Sequence, residues 1–335
     1  MPSYRALIYL CISLVAGAIN VNGQSYNNQN MESKQLNPLL CDPATGICEL
    51  PDVANMNTDT EKAVPAQNMV KVIYFTDPIC SSCWGIEPQL RKLKLEYGAQ
   101  IEIDYRMGGL LPDWSYNSGG ISNPSDVAQH WDEVSVYYDM PIDGDLWLED
   151  PLSSSYPPSI AFKAAQLQDA EKAIRFLREI RELVFLKKMN ITRWEHLEAA
   201  ATHVGLDAKR LKSDYDGQAK ALFEEDLQLA RAYRVRGFPS MYFENEVGDT
   251  QIVYGSRPYS DYETAIMAVN DTLQKQAYDT SWEALFDLYH SLTAREFAEL
   301  SGLDRREAED LLEQLSEQRL LKPFFTKNGA IWQRP

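Results

Sequence analysis

The chain has 335 residues, 44% hydrophobic and 24% charged, and its 49 acids against 32 bases give a formal charge of -17. That apolar fraction excludes a wholly disordered chain, and the length suits about two domains. The acidic balance argues against nucleic acid and against anionic lipid as partners, since both select basic surfaces.

At the start, Arg5 precedes the apolar run Ala6 to Ile19, shorter than the roughly 18–20 residues of a membrane span but long enough for a signal-peptide core. Val21-Asn22-Gly23 supplies small residues before a cut at Gln24, so residues 1–23 read as a signal peptide. That places the mature bacterial chain in the periplasm or cell envelope, with no membrane insertion after signal removal. Translation from Met31 is the alternative, and it leaves the chain cytoplasmic. Either start removes Cys11 and keeps Cys41, Cys48, Cys80 and Cys83. Two close pairs are too few for a disulfide scaffold and point to thiol chemistry.

Residues 24–68 read as a flexible leader, rich in Asn, Gln, Pro and Asp, with Cys41 and Cys48 in the turn CDPATGIC. Val70 to Phe75 is a buried-strand run, followed by a turn through Cys80 and Cys83 and a helix over Glu87 to Tyr97. Ile101 to Tyr105 alternates as a second strand. From about 113 to 234 the period is helical, with segments at 125–138, 158–169, 171–187, 192–204 and 216–234. Gly237-Phe238-Pro239 ends that block. Strands follow at Ser240 to Glu244 and Gln251 to Tyr254, then a helix from Tyr259 to Gln276. This order predicts an α/β class chain whose domain, 69–277, is a thioredoxin-type unit with a helical insertion.

Residues 281–335 read separately. Helices at Trp282–His290, Thr293–Ser301 and Asp304–Glu317 precede a hairpin through Lys327-Asn328-Gly329, a winged-helix-like pattern. Its third helix carries six acids and only Arg305 and Arg306 as bases, so phosphates would repel it. A packing or protein-docking module is the better expectation.

The strongest chemical feature is Cys80-Ser81-Ser82-Cys83 at a strand-to-helix junction. Two intervening residues let the sulfurs meet across one helical turn, where free amides and the positive helix end favour a thiolate on the first. Cys80 is then the exposed attacking sulfur and Cys83 the resolver, with a mixed disulfide between. Ser81 and Ser82 add no charge. His130, His196, His203 and His290 are scattered and form no ligand spacing. Trp114, Trp131 and Trp147 read as packing, while Gly108 to Pro112 could frame a substrate groove.

DPICSSCW resembles the Asp-Pro-x-Cys-x-x-Cys-Trp/Tyr form of the DsbA-like, FrnE-like branch of the thioredoxin superfamily. It is also similar to the ClpXP adaptor family that delivers the regulator Spx, where a start like Gly85-Ile86-Glu87-Pro88 follows. Arg236-Gly237-Phe238-Pro239 resembles the family's loop ending in a cis-proline. The resemblance covers about 69–277 and implies Cys80 and Cys83 as catalytic, with Asp77, Trp84, Phe238 and Pro239 in support. Pro239 would pack beside the pair, and Phe238 would present backbone to a substrate. The acid that many relatives carry six residues before the first Cys is Tyr74 here, which leaves Asp77 as the nearest carboxylate.

Two functions follow. The first is a protein thiol-disulfide oxidoreductase or isomerase acting on protein dithiols with a redox partner and no cofactor or metal. The alternative is a non-catalytic adaptor that binds a regulator for a protease. Cys41 and Cys48 read as an auxiliary redox pair, a structural disulfide, idle thiols, or zinc ligands together with Cys80 and Cys83.

Overall fold

The computed structural model describes residues 41–42, 47–49, 69–115 and 123–335. The expected signal peptide, Met31 and most of the leader lie outside the described residues. Two short strands come first, β1 (Cys41–Asp42) and β2 (Ile47–Glu49), paired antiparallel with Cys41 opposite Cys48.

The central sheet starts at β3 (Val70–Thr76), where every residue except Lys71 is buried, as a strand covered on both faces requires. The chain turns into a single helical turn, α1 (Ser81–Gly85), and then α2 (Glu87–Tyr97), whose first turn holds Pro88. It returns as β4 (Ile101–Met107), parallel to β3 with Tyr74 opposite Tyr105. Seven helices follow: α3 (Pro124–Tyr138), α4 (Leu146–Glu149), α5 (Tyr156–Gln166), α6 (Ala170–Phe185), α7 (Trp194–His203), α8 (Ala208–Asp216) and α9 (Ala219–Ala232). The helix expected over 216–234 starts later, at Ala219, because Gly217 ends a separate helix before it. That helix, α8, buries only Leu211, so its apolar stripe is short.

β5 (Gly237–Phe238), β6 (Ser240–Glu244), β7 (Thr250–Tyr254) and α10 (Tyr259–Val269) complete the unit. The sheet order is β4-β3-β6-β7, with β6 antiparallel to both neighbours. The last helix stops at Val269, short of the expected Gln276, because the next residues bond elsewhere. Gln274 N donates to Gln100 Oε1 at 3.0 Å and Gln276 N to the Glu96 carbonyl at 2.6 Å. The result is a thioredoxin-like α/β unit with its helical insertion between β4 and β5.

The C-terminal elements are α11 (Trp282–Leu288), β8 (Ser291–Thr293), α12 (Ala294–Ser301), α13 (Arg305–Glu317), β9 (Lys322–Thr326) and β10 (Gly329–Gln333). Their sheet order, β8-β10-β9, and a core of Leu285, Phe297, Leu312 and Trp332 make a winged-helix-like module. The wing turn is tied down: Asn328 Nδ2 donates to Asp132 and to the Ile142 carbonyl, both at 2.8 Å. Among the described residues no helix is long and apolar enough to cross a membrane.

An ion cluster joins the module to the α/β unit. Glu296, fully buried in the capping box of α12, accepts from Arg178 Nη1 at 2.7 Å and Nη2 at 3.0 Å, and Arg91 lies at 3.3 Å. Burial alone would raise its pKa, but the Arg178 and Arg91 guanidiniums hold it below the usual range. Glu296→Gln would leave two buried guanidiniums short of charge and should cost about 3–5 kcal/mol in urea unfolding. Because the folded pKa is lowered, this margin is full at neutral pH and shrinks as the pH falls through the folded value. A variant as stable as the wild type at pH 7 would show that the cluster contributes nothing to cohesion.

Candidate functional site

The site forms where β3 gives way to α1. Asp77 and Pro78 turn the chain, and Cys80 N donates to the Asp77 carbonyl at 3.2 Å. Cys80 is the N-cap of α1, its Sγ accepting from Cys83 N at 3.1 Å, and the two cysteines are joined as a disulfide with Cα atoms 5.2 Å apart. The two-residue spacing thus places both sulfurs on one helical turn. The expectation of an exposed Cys80 is corrected: both cysteines are fully buried. Strand β2 of the same chain lies against α1.

Asp77 is fully buried. Its Oδ1 accepts from Ile79 N at 3.0 Å, and its Oδ2 from Leu110 N and Ser155 Oγ, each at 2.8 Å. Burial pushes its pKa up to about 6, against the lowering effect of these donors and of Arg181. Gly109, at φ +71°, makes the turn that aims Leu110 N at the carboxylate. The segment expected to frame a groove therefore fastens the loop before the cysteines.

Trp84 is also buried and holds α1 to the insertion. Its indole donates to the Pro141 carbonyl at 3.1 Å, and its ring stacks on Phe185 with 5.5 Å between centroids. Trp131 packs on Phe185 and on Trp147, which meets Trp114, so these three rings are core packing. Ser82 Oγ and Tyr138 OH share a 2.6 Å hydrogen bond, and Gly85 lies so close to the Tyr138 ring that a Cβ would sit 2.5 Å from it.

Ser240 is opposite Phe75 in the β3–β6 ladder, which brings Phe238 and Pro239 to the end of β3. The Phe238–Pro239 peptide is cis. The Phe238 ring is buried over Gly108, where a Cβ would fall 1.8 Å from the ring edge. Its backbone is not open to a substrate as expected. β2 pairs antiparallel with β5, Cys48 opposite Phe238 and Glu49 opposite Gly237. Cys41 and Cys48 are therefore brought to the site by backbone pairing.

Sequence reasoning missed Arg181. Fully buried, it donates to Thr76 Oγ1 at 2.6 Å, to the Asp77 carbonyl at 3.3 Å and to Glu87 Oε1 at 2.5 Å, supporting the corner from beneath. The signal was its spacing from Arg178 and Glu182, which puts three charges on one stripe of α6. Burial lowers the His130 pKa to about 4, and His203 and His290 pair with each other on the surface away from the cysteines. Among the described residues no group of three or more His, Cys, Asp or Glu is arranged to hold a metal.

A family model described as thioredoxin matches residues 74–264. The ClpXP adapter protein SpxH of Halalkalibacterium halodurans is 34% identical over 303 residues, covering 88% of this chain and 97% of that protein. SpxH of Bacillus subtilis is 28% identical over 269 residues, covering 78% and 88%. Among solved structures, a putative protein disulfide isomerase from Nitrosomonas europaea matches with a TM-score of 0.52 at 21% identity, over 61% of this chain and 97% of that one. That last likeness is one of fold.

Two outcomes test this geometry. Gly108→Ala drives a methyl into the Phe238 ring and should destabilise the fold by about 1–3 kcal/mol. Adding Phe238→Leu should recover part of that loss in thermal unfolding, and strict additivity would count against the contact. For Asp77, the folded pKa near 6 lies above the reference value of 3.8, so the folded state holds the extra proton between them. Its contribution is most favourable below pH 4 and is lost as the pH rises through 6. Between pH 4 and 7 the stability of the wild type should fall by roughly 2–3 kcal/mol relative to Asp77→Asn. A difference independent of pH would mean that Asp77 titrates normally.

Proposed function

The chain belongs to the thioredoxin superfamily, and from that premise we propose that it is a protein-binding adapter that presents a regulator to a ClpXP-type protease. The observation that carries this reading is the 34% identity to an adapter over 97% of that protein's length. The match covers 88% of this chain and leaves too few residues over to omit the C-terminal module as a unit. The site itself agrees, since a fully buried cysteine pair is poorly placed to meet outside substrates. The module offers a surface instead, with an acidic α13 beside a wing where Phe325 is 72% exposed. The adapter reading goes with a cytoplasmic chain, as translation from Met31 would give.

A second reading, protein thiol-disulfide oxidoreductase, is favoured by the Cys80–Cys83 disulfide at a helix N-terminus. In it Cys80 is the nucleophile and Cys83 the resolver, and Asp77 exchanges the proton. Protein dithiols and a redox partner are the substrates.

Reconstituted proteolysis separates the two. With purified ClpXP and Spx, the chain should accelerate degradation severalfold, and Cys80→Ser/Cys83→Ser should do so undiminished. No acceleration by the wild-type chain would remove the adapter reading. Insulin or glutathione mixed-disulfide turnover that Cys80→Ser abolishes would establish the oxidoreductase instead.

A further inference from the structure

We propose that Cys48 is the resident thiol partner of Cys80, and that the β1–β2 hairpin exchanges disulfides with the Cys80–Cys83 pair inside the chain. The argument starts from the backbone. β5 has one edge that an incoming strand can pair with beside the cysteines, and β2 occupies it. The register sets Cys48 opposite Phe238, next to Pro239, and β2 also lies against α1, the helix that Cys80 caps. A tether of 31 residues between Cys48 and Cys80 would give a millimolar effective concentration or less, and a paired strand exceeds what a tether alone can do.

The second observation is the hairpin's own register. Cys41 stands opposite Cys48. Opposed residues of antiparallel strands have Cα atoms about 4.5–5.5 Å apart, inside the range a disulfide needs. Cys41 is therefore placed to resolve a bond made by Cys48. The third is burial. Cys80 is fully buried, which denies an outside protein direct access to its sulfur, whereas β2 of the same chain already lies against the helix that Cys80 caps.

The exchange balances without any other reagent. The Cys48 thiolate attacks Cys80 Sγ, the Cys80–Cys83 bond breaks, and Cys83 leaves as a thiolate that takes up the proton Cys48 released. The Cys41 thiolate then attacks Cys48 Sγ, and Cys80 leaves as a thiolate that takes the proton from Cys41. Two electrons have passed from the hairpin dithiol to the Cys80–Cys83 disulfide, and the reverse sequence returns them. This exchange is independent of whether the protein is an adapter or an enzyme, because only thiols of the chain take part.

The test uses the full-length chain carrying Cys11→Ser. Cys41→Ser/Cys83→Ser leaves Cys48 and Cys80, and oxidised glutathione should convert most of it to an intramolecular Cys48–Cys80 link found by peptide mapping. Cys48→Ser/Cys83→Ser leaves Cys41 and Cys80 and should link severalfold less. Ile47→Pro/Glu49→Pro, added to the first variant, breaks the β2 ladder and should lower its yield to that of the second. Equal yields from Cys41 and Cys48, or a yield that ignores the prolines, would overturn the proposal, since a loose tether would then suffice. If the serine variants do not fold, acid-quenched glutathione titration of the otherwise native chain answers the same question. There a transient Cys48–Cys80 peptide is expected, and its absence at every point of the titration would be equally fatal.

Discussion

Two arginines one turn apart on α6 join the cysteine corner, the insertion and the C-terminal module. Arg181 grips the end of β3 through Thr76 and the Asp77 carbonyl, and reaches Glu87 at the start of α2. Arg178 binds Glu182 on its own helix at 2.7 Å, lies 3.8 Å from Glu87, and makes the paired contact to Glu296 of the C-terminal module. Its guanidinium also sits 4.3 Å from the centre of the Trp84 ring. Removing such charges from water costs several kcal/mol per ion, and only complete pairing offsets it. The cluster is therefore geometrically demanding. The cysteine corner, the insertion and the winged-helix-like module must all be in place before its charges are satisfied.

This has a consequence for how the two ends of the molecule can communicate. Trp84 follows Cys83 directly, and its ring faces the same guanidinium that holds Glu296. Any rearrangement of α1 thus acts on the group that anchors α12. The coupling is a contiguous set of buried polar and ring contacts, which is the physical form such links take in proteins. A C-terminal module fastened in this way is not a bead independent of the α/β unit.

The parts of the fold with local signals were legible in the sequence. β3 showed itself as an apolar run broken only by Lys71, the Cys pair as a strand-to-helix motif, and the last segment as three amphipathic helices and a hairpin. α8 was not, because its stripe of Ala208, Leu211 and Tyr215 is short and only Leu211 is buried among mostly polar residues. The early end of α10 was hidden for a different reason: residues 274 and 276 leave the helix to bond with the end of α2, far away in the sequence. Arg178 and Arg181 carried only the local signal of their spacing with Glu182, because Glu87, Thr76 and Glu296 lie on other elements. The burial of Cys80 is the same kind of case. Its motif is local, but its surroundings are assembled from distant segments, among them a pairing of residues 47–49 with 237–238 that no local pattern announces.

That pairing reconciles the two faces of the molecule. The chain keeps what the chemistry of a dithiol site needs: a cysteine at a helix N-cap, a second one turn in, and a buried carboxyl with a pKa near 6 beneath the loop. It also fills the neighbouring strand edge with its own backbone, and leaves neither sulfur exposed. A site built this way favours reactions within the chain over reactions with strangers, since an incoming strand must first compete for hydrogen bonds already made. Under the adapter proposal the surface for partners is elsewhere, on the acidic helix and apolar wing of the last module. Thiol chemistry and protein capture can then reside in one chain without competing for the same surface, and the arginine cluster is the contact through which one could influence the other.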